Sequence, residues 1–500
     1  MKKAWQGRFE KKLNKEIESF TSGEDILYDH EFIEYDIKGT EAHNIMLNKI
    51  GVLPDDKLKM ILHALENILD EYKKGKFKLK KEFEDVHLNI EKVLISNLGG
   101  EVAGNIHLGR SRNDQILVDI RLYLRAKIIE LIESLLNLLE TILKLVPNYT
   151  ETLMISYTHL QPAQPISFSF WLMGNVSALM RNIEQLENNY KLINRNPLGA
   201  AAIAGTSWPI NREFTAELLE FDSIHENTLD VISSRGEFEV SLIFNCALIM
   251  NQLSKIAMDF LLWSTQEFNL IIFDDSVTTG SSIMPQKKNL DPCELIRAKT
   301  GQVIGHLFQA LNILKGLPSG YNRDTQEIKA PLINSLKITK QSIEIFIILF
   351  KNFQINESRI KDLLNNHFTT ATELIDLIIK KTGLDFRRAH EIVGEIIKFM
   401  EKNKLSQKDI NSELIRVVLK NKLELEIQIN DLEINEAIDP LKTIKRRSHI
   451  GGPAPIEVMR DYKIKKEKLN KIRIENKLKM EKNDLKKLQE IIDKYKKGDV

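Results

Sequence analysis

Apolar residues recur through most of this chain at the three- and four-residue spacing of helices. Between Asp119 and Val146, Leu131, Leu135, Leu138, Ile142 and Leu145 form one stripe, and Ile128, Ile132, Leu136, Leu139 and Leu143 form a second. A helix apolar on two faces is buried among several neighbours, as inside a bundle. Pro147 ends it, because proline has no N–H with which to continue the ladder. Phe32 to Ile37 and Leu58 to Leu69 also read as helical, the second clearly amphipathic and closed by Lys74-Gly75-Lys76. Helical spacing returns from Ile166 to Asn194 and over residues 213–273, with Phe238 to Trp263 strongly apolar. No run alternates regularly enough to predict a strand. The pattern therefore predicts an all-α protein around a central bundle of long helices.

The same pattern divides the chain. Residues 1–110 mix short helices with loops, and 111–359 carry the long apolar helices. Residues 360–460 read as a small helical domain, and 461–500 as a lysine-rich tail. In that tail Leu485, Leu488, Ile492 and Tyr495 keep a heptad spacing, but Glu481 breaks it upstream. A solvated helix or frayed end is the expectation there, with contact to a partner or an anionic polymer as the second reading.

Composition narrows the class. The chain has 500 residues, 43% hydrophobic and 28% charged, with a formal net charge of +1. Those values fit a large globular protein and give no reason to expect nucleic acid or an acidic membrane. The uncharged apolar run Val240 to Ser254 is short for a membrane span and contains Asn245, Asn251 and Gln252. No signal peptide is evident after Met1-Lys2-Lys3. The only two cysteines, Cys246 and Cys293, sit in apolar or helical context, so reduced thiols and a cytoplasmic location are expected. Eleven histidines fall in no HExxH pattern and no CxxC exists, so no metal or cofactor is expected.

Candidate chemistry lies where the helical pattern breaks. Thr278 to Asn289 is too polar, and too rich in Gly, Ser and Pro, to be helix. Ser281 and Ser282 offer hydroxyls beside successive amides that can cradle an anion, and Lys287 and Asn289 add a cation and an amide. A plain solvated connector is the alternative. Gly109 to Gln115 opens the longest helix, where Ser111, Asn113 or Asp114 can cap it. The same free amides bind anions, and Arg112 can grip a carboxylate bidentately. Pro162 and Pro165 force Ser156 to Pro165 out of helix, which presents Thr158 and His159 on a kinked segment. Asp291 and Pro292 begin a further helix, with Asp291 as the expected N-cap and Glu294 at the capping-box position. Tyr321 to Lys329 reads as an exposed turn entering a helix.

These breaks share a resemblance. Gly280-Ser281-Ser282-x-Met284-Pro285-x-Lys287-x-Asn289 resembles the signature of the fumarase/aspartase superfamily, and its filling Gln286-Lys287-Lys288 resembles the argininosuccinate lyase branch. Ser111 to Gln115, Thr158 to Pro165 and Tyr321 to Lys329 resemble further blocks of that family, as do Trp5 to Phe9, Glu84 to His87 and Ile450 to Pro455. The resemblance implies a three-domain lyase forming a homotetramer on a multi-helix core, with each site shared among subunits. It implies argininosuccinate as substrate, split by anti elimination into arginine and fumarate.

The resemblance also assigns residues. Ser281, His159 and Glu294 become catalytic, with Ser281 as an alkoxide base and His159, oriented by Glu294, as the acid; the residues alone leave those two roles interchangeable. Ser111, Arg112, Asn113, Thr158, Lys287, Asn289, Tyr321, Gln326 and Lys329 become substrate contacts. Glu84 to His87 is read as support for the site. The chain looks longer than the family near Phe20 to Asp25, so Ser22 or Asp25 takes an N-terminal contact position. Leu290 stands where the family usually has proline, which shifts the helix start and the aim of Glu294. Adenylosuccinate lyase, which typically has histidine at Gln286, is the nearest rival. A non-catalytic structural relative and a helical scaffold acting through its tail are rivals of another class.

Overall fold

The computed structural model describes residues 10–11, 13–423 and 428–497. The Trp5 to Phe9 motif lies outside the described residues. The N-terminal part holds helices α1 (Ile33–Lys49), α2 (Asp55–Lys73) and α3 (Val86–Leu98). The bundle follows as α4 (Arg112–Leu145), α5 (Phe168–Ile193), α6 (Glu237–Ser264), α7 (Asp291–Leu314) and α8 (Lys329–Leu349). Helix α6 packs against α5, α7 and α8, and α4 packs against α1, α5 and α8. Both predicted stripes of α4 are buried, from Ile128 and Leu131 to Ile142 and Leu143. The helix begins seven residues before the apolar stretch, at Arg112, because a capping box satisfies its first amides. Helix α6 is long and apolar enough to cross a membrane, yet 56% of its most apolar window is buried inside the protein. The bundle core accounts for that apolar run.

The expectation of no strands needs correcting. Leu153–Thr158 and Gln161–Ser167 form an antiparallel hairpin, β1 and β2. Prolines in β2 exclude it from the middle of a sheet but not from a two-stranded ribbon, where every strand is an edge. The residues preceding them are pushed extended. Met154 and Ile155 anchor the ribbon in the core. His159 and Leu160 make its two-residue turn with φ of 52° and 60°. Hairpin turns of this length need positive φ, but glycine and asparagine usually supply it. Further pairings are short, such as Ile271–Phe273 with Phe353–Ile355. The architecture remains all-α.

Residues beyond the bundle gather a core of their own from Leu374, Ile378, Ile392, Ile396, Leu419 and Ile434. The chain then returns to the body. Helix α9 (Pro455–Asn483) lies along α4 and α5, and α10 (Lys486–Lys497) lies against α2. The frayed or solvated tail is therefore not found. Leu469, Ile472, Leu488 and Ile492 are buried, and lysines meet carboxylates of the body: Lys479 with Glu187, Lys482 with Asp222 and Lys496 with Glu66. Truncating a fully buried leucine at such a seam costs about 2–5 kcal/mol. Leu488→Ala is expected to lower the thermal midpoint measurably in a melting experiment; a wild-type midpoint would mean that α10 contributes no docking energy.

Candidate active site

A cavity of ≈ 370 Å³ opens where the start of α4, the entrance to α8 and the N-terminal segment meet. The start of α4 is fixed by its cap. Ser111 Oγ accepts from the Asn113 N–H at 3.2 Å, and Asp114 accepts from the Ser111 N–H at 2.8 Å. The second oxygen of Asp114 accepts from Gly199 and Ala201 N–H at 3.0 and 2.9 Å, which ties the small-residue turn to the helix. Burial pushes this carboxyl up to about 6, against the pull of those amides. Arg112 and Asn113 thereby project at the cavity. Arg112 is already engaged by Asp85 and by Glu84 at 3.8 Å, while Asn113 donates to the Ala202 carbonyl at 3.0 Å. Asp85 also caps α3, accepting from the Leu88 N–H at 2.9 Å. The Glu84 to His87 stretch is a buttress, as expected.

Tyr321, Gln326 and Lys329 line the opposite wall. They are laced to the N-terminal segment. Arg323 donates to the Thr21 carbonyl at 2.8 Å, and Lys329 Nζ donates to Asp25 at 2.8 Å and to Asp29 at 2.6 Å. Burial would push the Lys329 ammonium down, but its two carboxylates outweigh that and hold it above its ordinary value. Ser22 and Asp25 both border the cavity, so the two candidates for the N-terminal contact lie side by side.

Beneath this wall lies a second charge cluster. His87 borders the cavity, and its Nδ1 sits 2.9 Å from Asp36 and 3.5 Å from Asp119. Gln115 donates to the same Asp36 oxygen at 2.5 Å. Burial and the nearby Asp36 charge push Asp119 well above the usual carboxylate range. Asp36, His87 and Asp119 are metal-ligand types with ligand atoms within 4.8 Å of one another. Asp36 is already engaged by His87 and Gln115, and the Arg110 charge acts on both carboxylates. The set is held by charge, since Asp36 Oδ2 and both Asp119 oxygens accept no hydrogen bond, and a cation there would be opposed by Arg110 and would displace the His87 proton.

The other predicted site residues lie elsewhere. None of Thr158, His159, Ser281, Lys287, Asn289 and Glu294 lines this cavity. His159 is exposed at the tip of the β1–β2 turn, whose strand β2 is held to the C-terminal helices through Arg447 and Gln164 at 3.2 Å. The signature stretch is a loop on a two-pair stem, Thr279–Gly280 with Lys288–Asn289. Ser281 Oγ accepts from the Ile283 and Met284 N–H groups at 3.3 and 3.1 Å, a local serine turn within the loop. Lys287 is exposed on the same loop. The expected capping by Asp291 and Glu294 is not found. Leu290 is the N-cap of α7 without a side-chain bond, Asp291 is the first helical residue, and its carboxylate accepts from Thr279. Buried Leu290 sets the helix start one residue early. Glu294 is exposed and, within one chain, makes no bond to His159.

Sequence reading missed Arg235 and Arg323 on the cavity wall, and took Asp85 only as support for the site. A charged residue beside Gly236, just before an apolar helix, was the only trace of Arg235. Gly236 has φ of 92°, and a Cβ there would meet Leu314 at 2.5 Å, so the turn that aims Arg235 requires glycine.

Comparison with known proteins identifies the family and the fold. The lyase family model matches residues 7–305, and the argininosuccinate lyase C-terminal model matches residues 368–445. The chain is 40% identical over 472 residues to the argininosuccinate lyase of Geobacillus thermodenitrificans (strain NG80-2), covering 94% of this chain and 99% of that protein. It is 41% identical to that of Anoxybacillus flavithermus over 92% of this chain and 97% of the relative. Among solved structures, an EDDS lyase in complex with formate superposes with a TM-score of 0.87 at 26% identity, covering 98% of this chain and 97% of that one. A class II fumarase from Schistosoma mansoni shares the fold, with a TM-score of 0.68, 18% identity and coverage of 84% and 90%.

The buried network makes a pH prediction. Burial alone would push His87 down, but Asp36 and Asp119 outweigh it and raise the imidazole above its ordinary 6.5. Stability from this ion pair is full below that value and is lost as pH rises through the higher folded value. The thermal midpoint is expected to fall on the alkaline side, and His87→Gln to flatten that fall. An identical slope in the variant would show that the pair is not charged.

Proposed function

The chain belongs to the argininosuccinate lyase family of the fumarase/aspartase superfamily, and from that premise we propose how its residues split argininosuccinate into arginine and fumarate. The reaction removes a proton beside a carboxylate and expels a guanidinium nitrogen. Its difficult intermediate is a carbanion whose charge spreads into that carboxylate. Donors aimed there stabilise the transition state more than the substrate. Lys287 and Asn289 serve this purpose beside the signature-loop amides. Ser281 is the base. Two N–H groups directed at its oxygen favour the alkoxide, since hydrogen bonds to a charged form lower its pKa. His159, turned by Glu294, protonates the leaving nitrogen. Its positive φ is a strained geometry of the sort that functional positions retain. Ser111, Arg112, Asn113, Tyr321, Gln326 and Lys329 bind substrate from the cavity side, and Thr158 from the hairpin.

The observation that carries this reading is a division. The predicted binding residues Arg112, Asn113, Tyr321, Gln326 and Lys329 converge on one cavity, while the reactive hairpin and signature loop stand exposed outside it. A site joining both halves is completed by neighbouring copies in a homotetramer. Apolar side chains left outside on the bundle support that assembly: Phe308 is 65% exposed, Leu295 57% and Phe244 48%. Reduced, buried Cys246 and Cys293 suit a cytoplasmic enzyme.

Purified protein is expected to release fumarate from argininosuccinate and not from adenylosuccinate. Ser281→Ala and His159→Ala are each expected to lower turnover by about 10² or more with the fold intact. Full activity in either variant removes that residue from the mechanism. Refolding the two inactive variants together should restore part of the activity if the groups come from different copies. Mixed assemblies as inactive as the parents would place both in one chain.

A further inference from the structure

The hairpin that carries His159 is irregular where it leaves the core. Ile155 faces Pro165 and Tyr157 faces Pro162, so Ser156 alone lies against Ala163 and Gln164. A bulge of this kind bends a ribbon and re-aims what lies beyond it. The Ser156 hydroxyl takes the place of the lost ladder bonds. Its Oγ accepts from the Gln164 N–H at 3.1 Å and donates to the Gln164 carbonyl at 2.8 Å. Below the bulge Met154, Ile155 and Pro165 are buried, and above it Thr158, His159 and Leu160 are exposed. The direction of the His159 tip is therefore decided at the bulge and not by the core.

The C-terminal helices grip that bulge from outside. Arg447 Nη1 donates to Gln164 Oε1 at 3.2 Å, and Gln164 Nε2 donates to Thr372 Oγ1 at 3.4 Å. Arg447 is itself anchored, with a side chain only 18% exposed and with Nε and Nη2 both donating to Glu373 Oε1 at 3.2 and 2.9 Å. Glu373 lies in the first turn of the helix Ala371–Thr382, where the helix dipole favours a carboxylate. A second pair, Lys445 with Glu151 at 2.7 Å, ties the base of the hairpin to the same helices, but both groups are about half exposed and such a pair holds little. Toward the body, the tip has the Tyr157 ring set edgewise against Phe268, 5.6 Å between centroids.

We infer that Arg447 is a positioning residue for His159: by holding Gln164 it fixes the bend of the bulge, and with it the aim of the imidazole. This rests on the lyase reading above, in which His159 protonates the leaving nitrogen. A proton donor displaced by about an ångström loses much of its effect on turnover, while substrate held by the cavity binds as before. The C-terminal helices thereby act on the chemical step through the geometry of one hairpin.

The test uses the full-length assembled protein with Arg447→Ala, Gln164→Ala and Gln164→Glu. Gln164 is exposed, so its substitutions leave the core untouched. Hydrogen exchange read by mass spectrometry follows the hairpin independently of turnover. In both alanine variants the amides of Tyr157 to Gln161 are expected to exchange about three- to tenfold faster, with α5 at its wild-type rate. Turnover should fall by about ten- to a hundredfold with KM changed by no more than about twofold. Gln164→Glu, whose carboxylate also accepts from Arg447, should recover most of the turnover that Gln164→Ala loses. Wild-type exchange at the tip in Gln164→Ala overturns the inference. So does a loss of turnover in Arg447→Ala that Gln164→Ala does not share, or a rise in KM at constant kcat. A tip that loosens while kcat stays at the wild-type value shows that the grip does not aim the imidazole, and overturns it too. Failure of the parent reading shows elsewhere: a wild-type protein that leaves argininosuccinate intact, or a fully active His159→Ala, refutes the lyase mechanism, and the exchange rates still decide whether Arg447 holds the hairpin.

Discussion

A buried charge is tolerated only when partners are buried with it, and around this cavity the partners are opposite charges. Lys329 is matched by Asp25 and Asp29, and the His87 imidazole by Asp36 and Asp119. The pairings cross the chain. Asp25 and Asp29 come from the N-terminal segment and Lys329 from the head of α8, while Asp36 lies on α1, His87 on α3 and Asp119 on α4. Each pair therefore pins a different N-terminal element to the bundle and faces the cavity as it does so. Removing one partner would leave a buried charge bare, so the polar floor of the cavity and the docking of residues 15–98 are one arrangement seen from two sides.

The rest of the reactive machinery is held in the opposite way. The His159 turn and the Ser281 loop are anchored at their stems, by the buried roots of the hairpin and by the Thr279–Asn289 pairing, but exposed at their tips. Their backbone geometry is local and complete without the cavity. The outward face of α7, with Leu295, Ile304, Phe308 and Leu311 in solvent, is too apolar to be an ordinary surface stripe. In the proposed homotetramer, covering that face and bringing the loops over a neighbour's cavity are the same event.

Much of this was legible in the residues. The two stripes of α4 are buried down to Ile142 and Leu143 as its spacing demands, and of the three capping candidates Ser111 is the cap, with Asp114 completing its box. Ser281 meets amides as its Gly-Ser-Ser context implies. The failures have physical causes. The hairpin was invisible to a search for alternation because two prolines and a bulge near Ile155 break the period of a ribbon with little sheet to face. The tail was misread because lysine density describes the free chain. Glu187, Asp222 and Glu66, far away in sequence, neutralise those lysines once the chain is folded. Arg235 was passed over because nothing near it in sequence distinguishes a buried guanidinium from a solvated one.

That last gap shows where local reading stops. Hydrogen-bond satisfaction is a property of the folded whole, so an unmatched group appears only after every other group has been paired. Along the cavity the pairing is nearly complete: carboxylates answer Arg112, Lys329 and His87, and a carbonyl and an amide answer Arg323. Deeper in the bundle the buried guanidinium groups of Arg121 and Arg125 are met by backbone carbonyls and not by carboxylates. In the proposed site the binding half is thus nearly saturated by partners from within the chain. The chemical half is loop-borne, exposed, and dependent on assembly for the exclusion of water. In that proposal binding and reactivity are carried by separate parts of the fold, and the substrate, with a charged head at one end and the scissile bond at the other, is long enough to need both.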